Sequence, residues 1–310
     1  MLRILIIEGA DKVGKSYFID KLQTVLMGIN VHVVSDLKQD LIFTKWLRDY
    51  IGNGNIKELN PLSQAILFGV AGNNNLHFDL QRIAEELEVG NREDEKHLFI
   101  LDRSAISSVI YTLANHISEQ IKITDQDLIN PDNSDSLNLF DMDKINLMIE
   151  QPHIKRTLDF IRELRNKELS FKTRSGKVAY CPGLLFIKTE LTGVQLQRLK
   201  GSSDYYEDEQ KQIIVSLLFK NYIHNHRARA LNNLVPKYGC EFNNLLLQKL
   251  NNKNLVTDVV VDNCFSTHTG DEFSLICAMQ KYGTNTLECV ADVAEVLNSE
   301  NFWDDKLLGL

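Results

Sequence analysis

Short apolar runs alternate with amphipathic segments along much of the chain. The runs are rich in Ile, Leu and Val, a composition typical of strands buried on both faces of a parallel sheet. They occupy residues 3–7, 31–34, 97–101, 184–187 and 259–261. Segments with apolar residues at helical spacing occupy residues 15–27, 41–51, 61–68, 76–89, 104–114, 194–199, 210–232 and 272–297. The alternation predicts an α/β fold in which helices flank a sheet of five parallel strands.

A polar, acidic stretch over residues 115–143 interrupts this alternation, and we expect a loop-rich insertion there. Helical spacing returns over 144–166, and residues 169–180 are typical of a hairpin that turns at Ser175-Gly176. We therefore predict a single domain, with its core at 1–114 and 182–265, the insertion at 115–181 and a C-terminal helical extension at 266–310.

The bulk composition is that of an ordinary globular protein. Of the 310 residues, 44% are hydrophobic and 25% are charged. The formal net charge of -8 lacks the basic footprint of proteins that wrap nucleic acid, so we expect no nucleic-acid partner. A small basic pocket for phosphates is compatible with this acidic balance.

The cysteines and the apolar segments bear on where the protein works. The five cysteines are odd in number and widely spaced, and they form no C-x-x-C. This pattern argues against a disulfide framework or a zinc site and favours a reducing compartment. The apolar run at the N-terminus is too short for a signal peptide, and no stretch has the length of a membrane span. We therefore expect a cytoplasmic protein with no membrane partner.

Residues 9–16 (GADKVGKS) fit the phosphate-binding motif G-x-x-x-x-G-K-[ST]. Glycines let backbone N–H groups turn inward around an anion, and a helix that begins at Lys15 points its positive end at the same anion. The Lys15 ammonium would bridge the β- and γ-phosphates of ATP, and the Ser16 hydroxyl would bind Mg²⁺. The motif follows a predicted buried strand and opens a predicted helix, the context that a P-loop requires. We therefore predict a P-loop NTPase fold in which ATP is bound by Gly9, Gly14, Lys15, Ser16 and Tyr17.

Asp102 directly follows the predicted strand at 97–101. P-loop enzymes place a carboxylate at such a strand end to help hold Mg²⁺. Beside a phosphate loop, this position makes Asp102 a predicted metal ligand together with Ser16.

Two other classes of P-loop protein fit the sequence poorly. A GTPase needs a guanine-reading N-K-x-D, and the nearest string, at residues 166–169, has Leu169 where Asp is required. The transporter signature L-S-G-G-Q does not occur. The class that remains is the small-molecule kinases.

Five segments resemble motifs of the thymidylate kinase family, in the same order and at similar spacing. The order and approximate spacing hold over residues 2–111 and again over 182–207, a little under half of the sequence. They are residues 8–16 (family motif E-G-x-D-x-x-G-K-[ST]), 65–68 (L-L-L-F), 102–111 (D-R-Y-x-x-S-x-x-A-Y), 181–187 (x-P-D-L-T-x-x-L) and 201–207 (R-G-x-x-D-R-x-E). The resemblance implies a P-loop kinase fold, a homodimer, and the reaction of ATP with dTMP, in the presence of Mg²⁺, to give ADP and dTDP.

The resemblance also implies roles for side chains on the acceptor side. Asp11 would lie beside the acceptor's sugar and phosphates. Arg103 would clamp the acceptor's phosphate, with Ser107 beside it in the same motif. Phe68 would stack on the base, and Tyr111 would pack against the deoxyribose and disfavour a 2′-hydroxyl.

On the donor side, the resemblance implies that residues 198–207 form a lid over ATP, with Arg198 as an ATP contact. Lys12 would stand where some members carry a loop arginine that neutralises the transferred phosphoryl group. A monophosphate acceptor is already an anionic nucleophile, so it needs positive charge and alignment more than a general base. Lys12, Lys15 and Arg103 are therefore the predicted catalytic residues.

Three positions depart from the family pattern. The family's R-E-P after the second strand reads Ser35-Asp36-Leu37 here. The arginine of F-A-A-D-R-x-Q-H aligns with Gly72, and the lid arginine aligns with Tyr205. Two acceptor-side cations are therefore missing, which leaves both the base and the acceptor's phosphate open.

Two alternative functions follow from these departures. Asp36 and the string Asp102-Arg103-Ser104 match deoxynucleoside kinases, which place a carboxylate after the second strand to deprotonate a 5′-hydroxyl and carry an [ED]-R-S motif. Asp11 in the loop favours a nucleotide acceptor instead. The other alternative is a kinase fold that has lost catalysis and serves as a nucleotide-binding scaffold. The missing arginines favour it, and the intact loop opposes it.

Overall fold

A single sheet forms the centre of the computed structural model. The residues that the structure describes are 1–35, 42–90, 92, 94–120, 151–152, 154–157, 159–160, 170–172, 174, 176, 178–188, 199, 208, 211–215, 218–219, 256–262, 274–280 and 285–303. Within them the sheet has seven strands. They are β1 (Leu2–Glu8), β2 (Ile29–Ser35), β3 (Lys96–Asp102), β4 (Ser170–Lys172), β5 (Val178–Lys188), β6 (Val256–Asp262) and β7 (Ser274–Gln280).

The strands follow the spatial order β2-β3-β1-β5-β7-β6, and the short β4 pairs with β5. Neighbours from β2 to β7 along this order run parallel. Every residue of β1, near the middle of the sheet, is buried, including Arg3 and Glu8 at its two ends, as expected for a strand covered on both faces in a parallel sheet. The prediction of an α/β fold with parallel strands at 3–7, 31–34, 97–101 and 184–187 is confirmed.

The end of the sheet near the C-terminus departs from the prediction. The run at 259–261 lies in β6, which is an edge strand antiparallel to β7 rather than a parallel strand. The fifth parallel strand is β7, inside the segment 272–297 for which the spacing predicts helix, and that prediction is wrong there. The sequence of β7, SLICAMQ, is a short apolar run, and at this length periodicity does not distinguish a buried strand from a buried helical turn.

One long helix replaces two predicted ones. The helices within the described residues are α1 (Lys15–Val25), α2 (Ile42–Gly52), α3 (Pro61–Val89), α4 (Ala105–Gln120), α5 (Asn285–Asn298), α6 (Glu300–Trp303) and a 3-10 helix (Asn55–Glu58). The spacing predicts separate helices at 61–68 and 76–89, whereas α3 is continuous over 29 residues. Ala71 and Asn75, between the two predicted segments, are buried, so packing overrides the low helix propensity of the glycines and asparagines there. No helix of the described ranges is long and apolar enough to cross a membrane.

The region between α4 and β5 is described in part. Strands β4 and β5 pair antiparallel, with Ser170 opposite Tyr180 and Lys172 opposite Val178, which confirms the predicted hairpin. The described residues of 152–160 and of 211–219 are helical, in agreement with the helices expected at 144–166 and 210–232. The remainder of those two segments lies outside the described residues. The division of the chain into core, insertion and extension stays a prediction.

The parallel register brings two connecting segments to one edge of the sheet. Ile7 of β1 and Ser35 of β2 both pair with Asp102 of β3. One residue further, the Arg103 backbone N–H donates to the Ile7 carbonyl at 3.0 Å. The loop that follows β1 and the segment that follows β3 therefore lie side by side at the carboxyl end of the strands, where ligand sites of open α/β sheets form.

Candidate functional site

The loop between β1 and α1 has the backbone of a phosphate-binding turn. Gly9 and Gly14 have φ angles of 148° and 96°, which favour glycine because a Cβ atom would be strained there. Lys12 also has a positive φ, of 60°. The strand before the loop and the helix after it are those that the motif requires, so the structural context expected for residues 9–16 is present.

The Lys15 ammonium lies inside this loop. Its Nζ donates to the carbonyl oxygens of Gly9 at 2.9 Å and Ala10 at 2.8 Å, and only 6% of the residue is exposed. Burial, together with the nearby Arg103 guanidinium, lowers the pKa of Lys15 to about 8, although the carboxylates of Asp11, Asp102 and Glu8 act in the opposite direction. A triphosphate tail in the loop would supply the negative charge that restores the protonated lysine.

Arg103 also reaches this loop and is paired with Asp11. Its Nη2 donates to Asp11 Oδ1. Its Nη1 donates to the Gly9 carbonyl at 3.4 Å, to Ser107 Oγ at 3.4 Å and to the Tyr111 hydroxyl at 3.2 Å. The guanidinium also lies over the Tyr111 ring, 5.0 Å from its centroid. One hydrogen-bonded network therefore joins four of the six residues predicted to bind the acceptor, namely Asp11, Arg103, Ser107 and Tyr111.

The charges of this network stabilise one another. Burial raises the pKa of Asp11, but the charges of Arg103 and Lys15 and hydrogen bonds from Tyr111 and Gln212 outweigh it, so the Asp11 pKa is lowered. Burial acts to lower the pKa of Arg103, and the Asp11 carboxylate more than compensates, so that pKa is raised. The pKa of Tyr111 is raised, mainly by its burial. At neutral pH the site therefore contains a carboxylate, a guanidinium and a neutral phenol.

Gln212 is a member of the network that sequence reasoning missed. The Asp11 backbone N–H donates to Gln212 Oε1 at 3.1 Å, and Gln212 Nε2 donates to Asp11 Oδ2 at 2.8 Å. Gln212 is fully buried. It follows Asp208, whose side chain accepts from the Lys211 backbone N–H at 3.1 Å and caps this helical turn. A lone glutamine 201 positions from its partner carries no sequence signal that would have identified it.

Glu8, the last residue of β1, is also part of the site. Glu8 lies in the segment that resembles the family motif, but the sequence predicted no role for it. Its carboxylate is fully buried and accepts hydrogen bonds from Ser104 and Ser107 at the start of α4. Burial raises its pKa, although the two serines and Arg103 oppose that rise. An ionisable residue at the carboxyl end of a buried strand, next to the phosphate-binding motif, is the signal that could have identified it.

Asp102 has the surroundings expected of a magnesium ligand. Its Oδ1 atom is buried and has no hydrogen-bond partner within the described part of the chain. Such an orphaned carboxylate oxygen is costly unless a cation or water satisfies it. No cluster of three or more His, Cys, Asp or Glu residues suited to a metal occurs among the described residues. A magnesium ion that is held mainly by nucleotide phosphates needs only one or two protein ligands, so Asp102 and Ser16 fit the group.

The other predicted site residues that the structure describes lie on the loop, on α1 and on α3. Lys12, Ser16 and Tyr17 are exposed at the loop and the start of α1, with the Lys21 ammonium 5.5 Å from the Tyr17 ring centroid. Phe68 is half-buried on α3 and packs against the main core. Asp36 and Arg198 lie outside the described residues.

No protein-family model matches the chain, and no curated protein matches it. A solved structure of thymidylate kinase from Candida albicans is similar, with a TM-score of 0.41 and 21% sequence identity over 71% of this chain and 76% of that chain. We therefore infer the function of the chain from the side chains of its site.

Proposed function

We propose that this protein transfers the terminal phosphoryl group of ATP to a deoxynucleoside monophosphate, with dTMP as the preferred acceptor. The observation that carries the proposal is the convergence of two cations on one atom. Lys15 Nζ and Arg103 Nη1 both donate to the Gly9 carbonyl oxygen, at 2.9 and 3.4 Å. Two cations this close to one P-loop carbonyl suit a reaction in which donor and acceptor phosphates meet.

The two cations serve different phosphates in this proposal. Lys15, which starts α1, faces the β- and γ-phosphates of ATP beside the amides of the loop. Arg103 faces the acceptor's phosphate, and its planar fork suits bidentate recognition of phosphate oxygens. Lys12, exposed on the loop, would approach the transferred group. Together these residues neutralise and align the phosphates, which is most of what phosphoryl transfer requires of a protein.

Magnesium would be held by Asp102 and Ser16 together with the nucleotide's phosphates. When bound, it neutralises charge on the β- and γ-phosphoryl oxygens. The orphaned Asp102 Oδ1 atom supports this assignment. Mg²⁺ is accordingly the cofactor of the proposed reaction, and ATP is the phosphoryl donor.

A phosphate acceptor suits the described carboxylates better than a hydroxyl acceptor does. A nucleoside's 5′-hydroxyl needs a general base, and a good base at neutral pH has a pKa near 7. Asp11 has a lowered pKa because its charge partners outweigh its burial. Glu8 is fully buried, and its carboxylate accepts hydrogen bonds from the hydroxyls of Ser104 and Ser107. Neither is suited to accept the proton, whereas a monophosphate brings its own anionic nucleophile. Asp36, the base of the nucleoside alternative, lies outside the described residues.

The test is an acceptor screen at saturating Mg-ATP. Deoxynucleoside and ribonucleoside monophosphates are compared with the corresponding nucleosides, and both ADP and the phosphorylated acceptor are measured. The proposal predicts transfer to dTMP and none to thymidine. Lys15→Ala is expected to abolish turnover, and Arg82→Ala, an exposed arginine paired with Glu86 on α3, serves as the control. Transfer to nucleosides alone would establish the deoxynucleoside kinase alternative, and ATP binding without turnover would establish the scaffold.

A further inference from the structure

Glu8 is the last residue of the inner strand β1, and its carboxylate accepts an unusual set of hydrogen bonds. Its Oε1 atom accepts from the backbone N–H of Ser104 at 2.8 Å, from the Ser104 hydroxyl, and from the backbone N–H of Ser107 at 3.3 Å. Its Oε2 atom accepts from the Ser107 hydroxyl at 2.5 Å. The carboxylate is fully buried, so these donors replace the water that it loses.

These contacts put Glu8 in the place of a helix cap. Helix α4 begins at Ala105, and an N-terminal cap is normally a side chain of the preceding residue that accepts from the third helical N–H. In this protein the third helical N–H, that of Ser107, donates instead to Glu8, which lies on strand β1. The Ser104 hydroxyl, which could have capped the helix locally, donates to Glu8 instead. A buried long-range carboxylate is a costly substitute for a serine cap, which points to a purpose beyond starting the helix.

The residue that these contacts enclose is Arg103. Arg103 has a φ angle of 86°, in a region that residues with a Cβ atom rarely adopt. Such conformations persist where the surrounding contacts over-determine them, and they cluster at functional sites. The backbone N–H of Arg103 donates to the Ile7 carbonyl, and the next N–H, of Ser104, donates to Glu8. Two consecutive residues of β1 therefore fix two consecutive residues after β3.

We propose that Glu8 is a positioning residue that acts through Ser104 and Ser107 to hold Arg103 in its left-handed conformation, with the guanidinium directed at the loop. Ser107 contributes twice, because its hydroxyl donates to Glu8 and accepts from Arg103 Nη1. Without this support, Arg103 relaxes toward ordinary φ values and its side chain leaves Asp11 and the Gly9 carbonyl. The role in catalysis rests on the proposed function, whereas the conformational role does not.

The conformational role is tested by NMR on arginine-labelled protein. The Arg103 Nε–H and guanidinium signals, assigned by their loss in Arg103→Lys, are expected to be sharp and slow to exchange because the group is largely buried and paired with Asp11. Glu8→Gln is expected to broaden or shift them, and Ser104→Ala, which keeps the Glu8 carboxylate, gives a second reading if Glu8→Gln does not fold. Ser108→Ala is the control, a buried serine on the same helix that is not among the donors to Glu8. Arg103 signals that stay unchanged in Glu8→Gln or Ser104→Ala, with the protein folded, would overturn the proposal.

The catalytic consequence is tested by a kinetic double-variant cycle. Glu8→Gln is expected to lower kcat/KM for the acceptor by on the order of 100-fold, since small displacements of a positioning group have effects of this size, and to leave ATP affinity unchanged. In the Arg103→Ala background the same change is expected to cost nothing further, because the group that it positions is gone. An equal loss in both backgrounds, or a parallel loss of ATP affinity, would contradict positioning through Arg103. If the wild type transfers no phosphoryl group, the proposed function fails, and the NMR arm still decides the role of Glu8.

Discussion

Lys15 and Arg103 both donate a hydrogen bond to the carbonyl oxygen of Gly9. Lys15 starts the helix after β1, and Arg103 follows β3, 88 positions away along the chain. The two positive charges repel each other, and this repulsion contributes to the lowered pKa of Lys15. Asp11 offsets part of that repulsion. Phosphates bound between the two cations would remove the rest, so the charge arrangement favours occupation by anions.

Arg103 is expected to govern the acceptor rather than ATP. Arg103→Lys keeps a charge but loses the fork that contacts Asp11, Ser107 and Tyr111. We predict a rise in KM for the acceptor and a fall in kcat, together on the order of 100-fold in kcat/KM, with little change in ATP affinity. Steady-state kinetics with either substrate varied provide the measurement. Equal effects on both substrates would argue against a clamp on the acceptor's phosphate.

Asp102 is expected to separate activity from stability. Asp102→Asn removes a charge from a buried oxygen that has no hydrogen-bond partner in the described region. We predict that the midpoint of thermal unfolding changes little, because relief of an oxygen that lacks a hydrogen-bond partner is offset by the loss of its attraction to Lys15 and Arg103. The Mg²⁺ concentration for half-maximal turnover rises sharply, because a metal ligand is lost. A magnesium titration and a thermal melt on one preparation test both, and a large drop in stability with normal magnesium dependence is the contrary outcome.

The sequence predicted this part of the site because its signals are local. Residues 9–16 form one contiguous motif, and Asp102 and Arg103 directly follow an apolar strand. Parallel neighbours end at the same edge of a sheet, so placing these two segments together required only that β1 and β3 be adjacent. Gln212 was missed because it meets Asp11 through tertiary packing alone. Strand β7 was missed because seven mostly apolar residues have no diagnostic period.

Gln212 is expected to control acceptor binding through Asp11. Gln212→Ala removes the two hydrogen bonds that Gln212 makes with the Asp11 amide and carboxylate, and leaves those that Arg103 and Tyr111 donate to the carboxylate. We predict an acceptor KM higher by about 10-fold, because a buried carboxylate loses one of its donors and becomes less well ordered. Lys211→Ala, a partly exposed neighbour on the same turn, is the control. An acceptor KM that does not change in Gln212→Ala would show that Asp11 needs no support from this residue.

A pair of histidines on the neighbouring strands β2 and β3 is expected to make the stability of the fold sensitive to acid. His32 and His97 lie on β2 and β3, with His32 Nε2 2.9 Å from His97 Nδ1 and the rings stacked. Burial, followed by the proximity of His97, lowers the pKa of His32 to about 4, and burial also lowers that of His97. The neutral forms are favoured in the fold, so the unfolded chain binds more protons below the ordinary histidine pKa.

Stability is therefore expected to be fully present above about pH 6.5 and to fall as pH decreases from there toward about 4. Urea unfolding at several pH values measures the trend. His32→Gln, which cannot be protonated, should flatten it over this interval. A wild-type stability that is constant between about pH 6.5 and about pH 5 would contradict the assignment of neutral histidines.

The central claim is that ATP and a monophosphate acceptor meet between Lys15 and Arg103. It is tested most directly by calorimetry with a bisubstrate ligand in which adenosine and thymidine are joined through a chain of five phosphates, in the presence of Mg²⁺. The account predicts that this ligand binds more tightly than ATP or dTMP alone, and that Lys15→Ala and Arg103→Ala each reduce its affinity. Binding no tighter than that of ATP, or affinity unchanged by Arg103→Ala, would contradict it.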